Sequence, residues 1–341
     1  MGDAKDTLLY DKALGCLLGG IIGDALGTPC ENKDYRWIEQ NLGWVDDFSG
    51  DGTDDTAMKD VLADALARTD GQATIDDWAA RWLEDWDGLF GTKINKYFIS
   101  VLHTAQKLKR HSTPRMAALG NMPSSSSAMC ISPVGIVNAC DPRAAALQTY
   151  NLAALIHVHD VGFCQDAAVA MAAAVAEACR PEATVASVVE ASTAYVLPRS
   201  GAEMLEAIDR ALALARRAGA YQAFRAAVYE QSDRFFCRIT CDSRETVPLT
   251  LALFVLADGD VERCVTYGAN FGRDADTIAS MCGAIAGALR GADAVKPAWR
   301  ERVRQHASRD QEQLALSLVE AARRKAAAAR AALAAFDRVA G

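Results

Sequence analysis

The amino-acid sequence predicts an all-α protein, a single compact helical bundle spanning residues 1–341. Three observations carry that expectation. Alanine-rich runs of helix-favouring composition recur at 143–157, 166–179, 201–218, 246–257 and 276–290. Convincing strand patterns are absent. No linker-like stretch and no repeat of fixed period divides the chain. With 51% hydrophobic residues, 341 residues can bury a large core.

The first helical run, residues 11–27, reads DKALGCLLGGIIGDALG and places Gly15, Gly19, Gly23 and Gly27 at every fourth position. Residues 281–291, MCGAIAGALRG, repeat the spacing with Gly283, Gly287 and Gly291. Four glycines in one helix cost roughly 3–4 kcal/mol against alanine, so the pattern needs a compensating contact. A smooth face at i, i+4 lets another backbone approach closely. Two arrangements satisfy it: the striped helices packed tightly at the centre, even against each other, or two buried helices with separate small-residue contacts. Punctuation residues mark loops at Thr28-Pro29, 49–52, 88–91 and 122–127. The tail is a long Ala/Arg/Leu helix, about 310–339. Its Leu314, Leu318, Ala322, Leu333 and Phe336 suggest one buried stripe and a packing role, with partner binding as the alternative.

A formal net charge of −8 argues against a nucleic-acid backbone as partner. It is compatible with metal cations and with sugars whose phosphates are held by backbone amides. The ten cysteines are scattered, several inside runs that read as buried helix, where a reduced cysteine acts as a small apolar residue. Only Cys237 and Cys241 lie close together, without the second pair or histidines that a zinc site needs. The cytoplasm is the expected compartment. The N-terminus MGDAKDTLLYDK carries acids before its apolar run, unlike a signal peptide, and Asp6 breaks the myristoylation pattern. The longest apolar stretches read as too short and too interrupted by charge for a membrane span.

Chemistry concentrates in two acidic motifs. Asp51-Gly52-Thr53-Asp54-Asp55-Thr56 opens one helical run, and Gly272-Arg273-Asp274-Ala275-Asp276-Thr277 opens another. Asp and Thr cap helix N-termini, and one such motif alone reads as capping. Two features go beyond it. Adjacent Asp54 and Asp55 repel, and one cap does not need both. Both motifs are pure oxygen-donor sets, the hard ligands that Mg2+, Mn2+ or Ca2+ prefer. Four converging carboxylates without a cation would force their pKa values up or the site apart.

These residues resemble the ADP-ribosylglycohydrolase family over about residues 11–291. Five segments carry the likeness: GCLLGGIIGDALGTPCE, GDGTDDTAM, SSSSAMCISPVG, LIHVHDVGFCQDAA, and ETVPLTLALF followed by ANFGRDADTIASMCGAIAGA. The resemblance implies an all-α bundle around a binuclear cleft and two divalent cations, Mg2+ or Mn2+. It assigns metal ligation to Thr53, Asp54, Asp55, Asp274, Asp276 and Thr277, with Asp276 as the bridge. Glu31 matches an acidic residue that positions or activates water; from spacing alone it reads as a surface residue after a turn. Asp54, Asp55 and Glu31 are the candidate catalytic bases. Ser124, Ser125, Ser126 and Met129 match a loop around the distal ribose and diphosphate, His157 a histidine at the substrate cleft, and Phe163 and Gln165 contacts to ribose or adenine. Gly88-Leu89-Phe90-Gly91 with Thr92 and Lys93 is a looser match to a second phosphate-facing loop.

The chain departs from the family at two places. Arg273 stands where glycine is more frequent, and is expected either to hold a substrate carboxylate or phosphate or to point outward. The common Asn-Gly-Ala-Ala-Met-Arg loop becomes Ser125-Ser126-Ser127-Ala128-Met129-Cys130, losing both asparagine and arginine. The implied activity is hydrolysis at the anomeric carbon of an ADP-ribosyl group on a protein or small molecule. Two alternatives are a hydrolase of a smaller ribosyl compound, such as a nucleoside or nucleotide derivative, and a non-catalytic binding or structural member of the fold.

Overall fold

A computed structural model describes residues 4–91 and 94–341, and among them every regular element is a helix. The main ones are α1 (Leu8–Gly27), α2 (Asp54–Arg68), α3 (Pro142–Ala153), α4 (Phe163–Ala178), α5 (Ala202–Ala218), α6 (Ser243–Leu256), α7 (Val261–Ala269), α8 (Ala275–Arg290) and α9 (Gln311–Ala340).

The glycine stripes decide the centre. Gly15 faces the Gly287 carbonyl, Gly19 that of Gly283, Gly23 that of Ala279, and Gly27 the backbone of Asp276. Ascending numbers in α1 meet descending numbers in α8, so the two run antiparallel. A Cβ at any of these four glycines would sit 2.0–2.4 Å from a backbone atom of α8 or its C-cap. The stripes therefore pack on each other, the first of the two arrangements the spacing allows. Around this pair, α3 packs on α4, α5 on α6 and α7 on α8, and one buried hydrophobic cluster runs through them. Lys12 is buried at the far end, its Nζ donating to the carbonyls of Ala178, Ala288 and Leu289. An ammonium taken from water needs such partners, and the C-termini of α4 and α8 present the negative ends of their dipoles to it.

Three expectations need correction. α9 buries Leu314, Leu318 and Ala322, but Leu333 is 61% and Phe336 64% exposed. At 1.5 Å per residue the helix outruns the body it packs on, so one sequence stripe is covered only over its first half. Residues 88–91 are not simply a loop, because Trp86–Phe90 forms a short helix; Thr92 and Lys93 lie outside the described residues. Finally, the stretch Leu8–Cys30 is long and apolar enough to cross a membrane by length and composition, although 89% of its most apolar window is buried inside the protein.

Candidate functional site

Both acidic motifs sit at helix starts: Asp54 and Asp55 in the first turn of α2, Asp274 at the N-cap of α8 and Asp276 in its first turn. Because α1 lies flush against α8, its last turns reach the start of α2 as well. The result is one cleft of about 230 Å3, lined in part by Glu31, Asp54, Asp55, Asp274, Asp276 and Thr277. Size does not single it out: a surface groove past Asp47 and Arg302 measures about 610 Å3. Its chemistry does.

Carboxylate oxygens of Glu31, Asp274 and Asp276 lie within 4.8 Å of one another, as do those of Asp24, Asp55 and Asp276. Asp276 belongs to both groups. Thr277 Oγ1 donates to Asp55 Oδ2 at 3.3 Å, linking motifs 222 positions apart. Among the described residues, buried Asp55 Oδ1 and Asp276 Oδ1 have no donor and the Tyr97 hydroxyl at the cleft wall has no hydrogen-bond partner. Burial pushes the carboxyls of Asp54, Asp55 and Asp276 well above the usual range, and neighbouring charges add to it: Asp24 for the first two, Asp274 for the third. Asp274 is raised to about 7 by burial and by the Glu31 charge. An oxygen-only donor set with uncompensated negative charge and orphaned lone pairs fits hard divalent cations.

Glu31 follows the turn Thr28–Cys30 and is held by backbone pairing of the next residues. Arg273 N–H donates to the Lys33 carbonyl (2.8 Å), and Asn32 N–H to the Arg273 carbonyl (2.6 Å). Asn32 (φ 59°) and Arg273 (φ 63°) both occupy the left-handed region, which disfavours side chains other than glycine and asparagine. The Arg273 guanidinium offsets that strain. Its Nε and Nη2 grip the two oxygens of fully buried Glu245, and Nη2 also reaches the Cys237 carbonyl.

The serine turn divides into two roles. Ser125, Ser126 and Met129 line the cleft, and Ser125 Oγ donates to Asp274 Oδ2 at 3.3 Å. Ser124 and Ser127 face backward onto His157, whose Nε2 is 3.0 Å from Ser124 Oγ and Nδ1 2.8 Å from Ser127 Oγ. Fully buried, His157 is pushed down to about 3 by desolvation and is a neutral ring. Gln165 Nε2 in turn donates to the His157 carbonyl at 2.6 Å. Phe163 lies under the Arg244 guanidinium, 4.2 Å from its ring centre. Thus Arg273, His157, Gln165 and Phe163 surround the site without forming the cleft wall, and Thr53 is turned toward Asp24 through Thr53 Oγ1 (2.8 Å).

Asp24 is the functional candidate that motif reading missed. Its signal was present: it is the sole charged residue in the run 13–27.

Residues 5–328 match the family model described as ADP-ribosylglycohydrolase. The chain belongs to the ADP-ribosylglycohydrolase family. Among curated relatives it is 28% identical over 313 residues to the uncharacterized protein YegU of Escherichia coli, covering 84% of this chain and 90% of that one. An uncharacterized protein of Archaeoglobus fulgidus is 27% identical over 302 residues, covering 82% and 88%. A solved structure titled ADP-ribosylglycohydrolase-related protein complex superposes with a TM-score of 0.67 at 20% identity, covering 92% of this chain and 99% of that one. At that identity the likeness establishes the shared fold.

Proposed function

We propose that this member of the family is a divalent-metal-dependent hydrolase of the glycosidic bond at the anomeric carbon of an ADP-ribosyl group, carried by a protein or a small molecule. One observation carries the reading: at a single cleft Asp276 lies beside Glu31 and Asp274 on one side and beside Asp55 on the other. Two cations, Mg2+ or Mn2+, would supply charge that orients sugar hydroxyls and eases deprotonation of water near neutral pH. Thr53, Asp54, Asp55, Asp274, Asp276 and Thr277 would hold them. Thr53 and Thr277 donate their protons to Asp24 and Asp55, which leaves oxygen lone pairs free to ligate.

Asp54, Asp55 or Glu31 takes the proton of the attacking water. The remaining carboxylates offset positive charge growing on the sugar ring as the bond breaks. Ser125, Ser126 and Met129 face the substrate. His157 and Gln165 keep the serine turn in place, and Arg273 braces Asp274 and the Glu31 turn, so that the altered loop acts through hydroxyls rather than a cation. Ten free thiols suit a reducing compartment, and we assign the protein to the cytoplasm.

A second reading, hydrolysis of a smaller ribosyl compound, is favoured by one measurement. The cleft, at about 230 Å3, lies below the ~300–1,000 Å3 usual for ligand pockets. Both readings are tested by offering an ADP-ribosyl-arginine peptide and simple nucleosides to the purified protein. Release of ADP-ribose, stopped by chelator and restored by Mg2+ or Mn2+, supports the first; turnover of nucleosides alone supports the second. Asp276→Ala should abolish either activity with helical circular dichroism unchanged. Turnover that survives chelation, or survives in Asp276→Ala, removes the metal assignment.

A further inference from the structure

Asp24 stands on α1, fully buried, with both carboxylate oxygens engaged by the start of α2. Oδ1 accepts from Thr53 N–H (3.0 Å) and Thr53 Oγ1 (2.8 Å). Oδ2 accepts from Thr53 N–H (2.8 Å), Thr56 N–H (3.0 Å) and Thr56 Oγ1 (2.6 Å). A helix start normally has its free N–H groups covered by the side chain of its own N-cap residue. Thr53, the N-cap of α2, provides no such bond. Asp24 covers the N3 amide, Thr56 N–H, from another helix.

Asp24 lies close enough to Asp55 and Asp276 to be grouped with them as a ligand. A carboxylate has about four lone-pair positions, and five donor contacts already fill them, Thr53 N–H being shared between the oxygens. No lone pair is left for a cation. Meanwhile the same stretch of α1 abuts the second motif: a Cβ on Gly27 would come within 2.3 Å of Asp276 Cα, and one on Gly23 within 2.2 Å of the Ala279 carbonyl. Gly52 completes the fit, since a Cβ there would lie 2.3 Å from Asp24 Oδ2.

We propose that Asp24 is a positioning residue: it caps α2 from α1 and so holds Asp54 and Asp55 in register with Asp276, which the glycine face of α1 holds on the other side. The last two turns of α1 act as a jig between motifs that never touch in sequence. This rests on the reading of the cleft as a cation site.

The test is Mn2+ affinity by calorimetry on the full chain, at a temperature where circular dichroism shows each variant folded, beside thermal unfolding in chelator. Asp24→Asn puts an NH2 group against donors and should weaken Mn2+ binding about 10- to 100-fold, the range typical of groups that orient ligands. Thr56→Val removes one donor alone and should weaken it by a smaller factor, while Thr56→Ser keeps the hydroxyl and restores wild-type affinity. Should Asp24→Asn not fold, the two Thr56 variants decide. Wild-type affinity in Asp24→Asn or in Thr56→Val, with only the unfolding temperature lowered, would reduce Asp24 to a structural cap and overturn the proposal. Loss of binding in Asp24→Asn with both Thr56 variants unchanged would make Asp24 a ligand, and overturn it too. A wild-type protein that binds no Mn2+ would instead sink the cation reading itself.

Discussion

His157, which the family resemblance sets at the substrate cleft, is fully buried behind the serine turn. Its two nitrogens are spent on Ser124 and Ser127, and a ring charged in that enclosure would have no solvent and no counter-ion. In the unfolded chain it titrates near 6.5, in the folded protein near 3. Between those values the unfolded state binds more protons, so this group's contribution is intact above pH 6.5 and is lost as pH falls toward 3. The slope approaches ~1.4 kcal/mol per pH unit. Urea unfolding at pH 7 and pH 5 checks it: the loss on acidification should be smaller in His157→Gln than in wild type. Equal losses would show that the ring is not held neutral. Arg273 teaches the same lesson. Its sequence position beside Asp274 left open an anion from substrate or an outward-pointing side chain; in the fold it pairs with Glu245 of the same chain. Sequence names the charge; only the fold names its partner.

Among the helices, the stripes were legible because spacing at every fourth residue is itself a surface. Their mutual contact was one of two open arrangements, since periodicity reports a face and not what covers it. The same gap explains α9, whose Leu333 and Phe336 continue a stripe past the end of the body. Position along α1 offers a sharp check. A Cβ at Gly19 would lie 2.0 Å from the Gly283 carbonyl, whereas one at the adjacent Gly20 meets nothing nearer than 3.8 Å. Backbone cannot yield as a side chain does, so Gly19→Ala should destabilise by about 3 kcal/mol or more, toward the upper end of overpacking costs. Gly20→Ala keeps the contacts and gains helix propensity, up to ~1 kcal/mol in the opposite sense. Chemical denaturation of the two variants decides; effects of the same sign would mean that α1 and α8 do not meet as described.

For the molecule as a whole, the acidic cleft is a cost that folding must carry wherever its carboxylates are ionised together. The two Asp pairs could be picked out in the sequence because hard oxygen donors at two helix starts exceed what capping requires; Asp24 showed there only as a lone charge in an apolar run, since its role depends on α1 passing both. Protonation offers the metal-free protein partial relief. Asp274 is raised to about 7, and Asp54, Asp55 and Asp276 lie well above the usual carboxylate range. Above pH ~4 the native state therefore binds more protons than the unfolded chain, and stability falls as pH rises through the folded values. From pH 4 to 6.5 the His157 contribution runs the other way and masks this; above 6.5 it is constant. The window from pH 6.5 to 7.5 is where the cluster sets the trend, below the point at which Lys325, lowered by burial to about 8, titrates with the opposite sign. There, protein in chelator should lose unfolding temperature with rising pH. Mn2+ at a hundredfold excess over its dissociation constant should add about 2.7 kcal/mol, with the gap between the two curves widening toward pH 7.5. Carboxylates that met without a shared ion would leave the curves superimposed, and a chelated protein equally stable at both ends of the window would mean that the four aspartates do not converge.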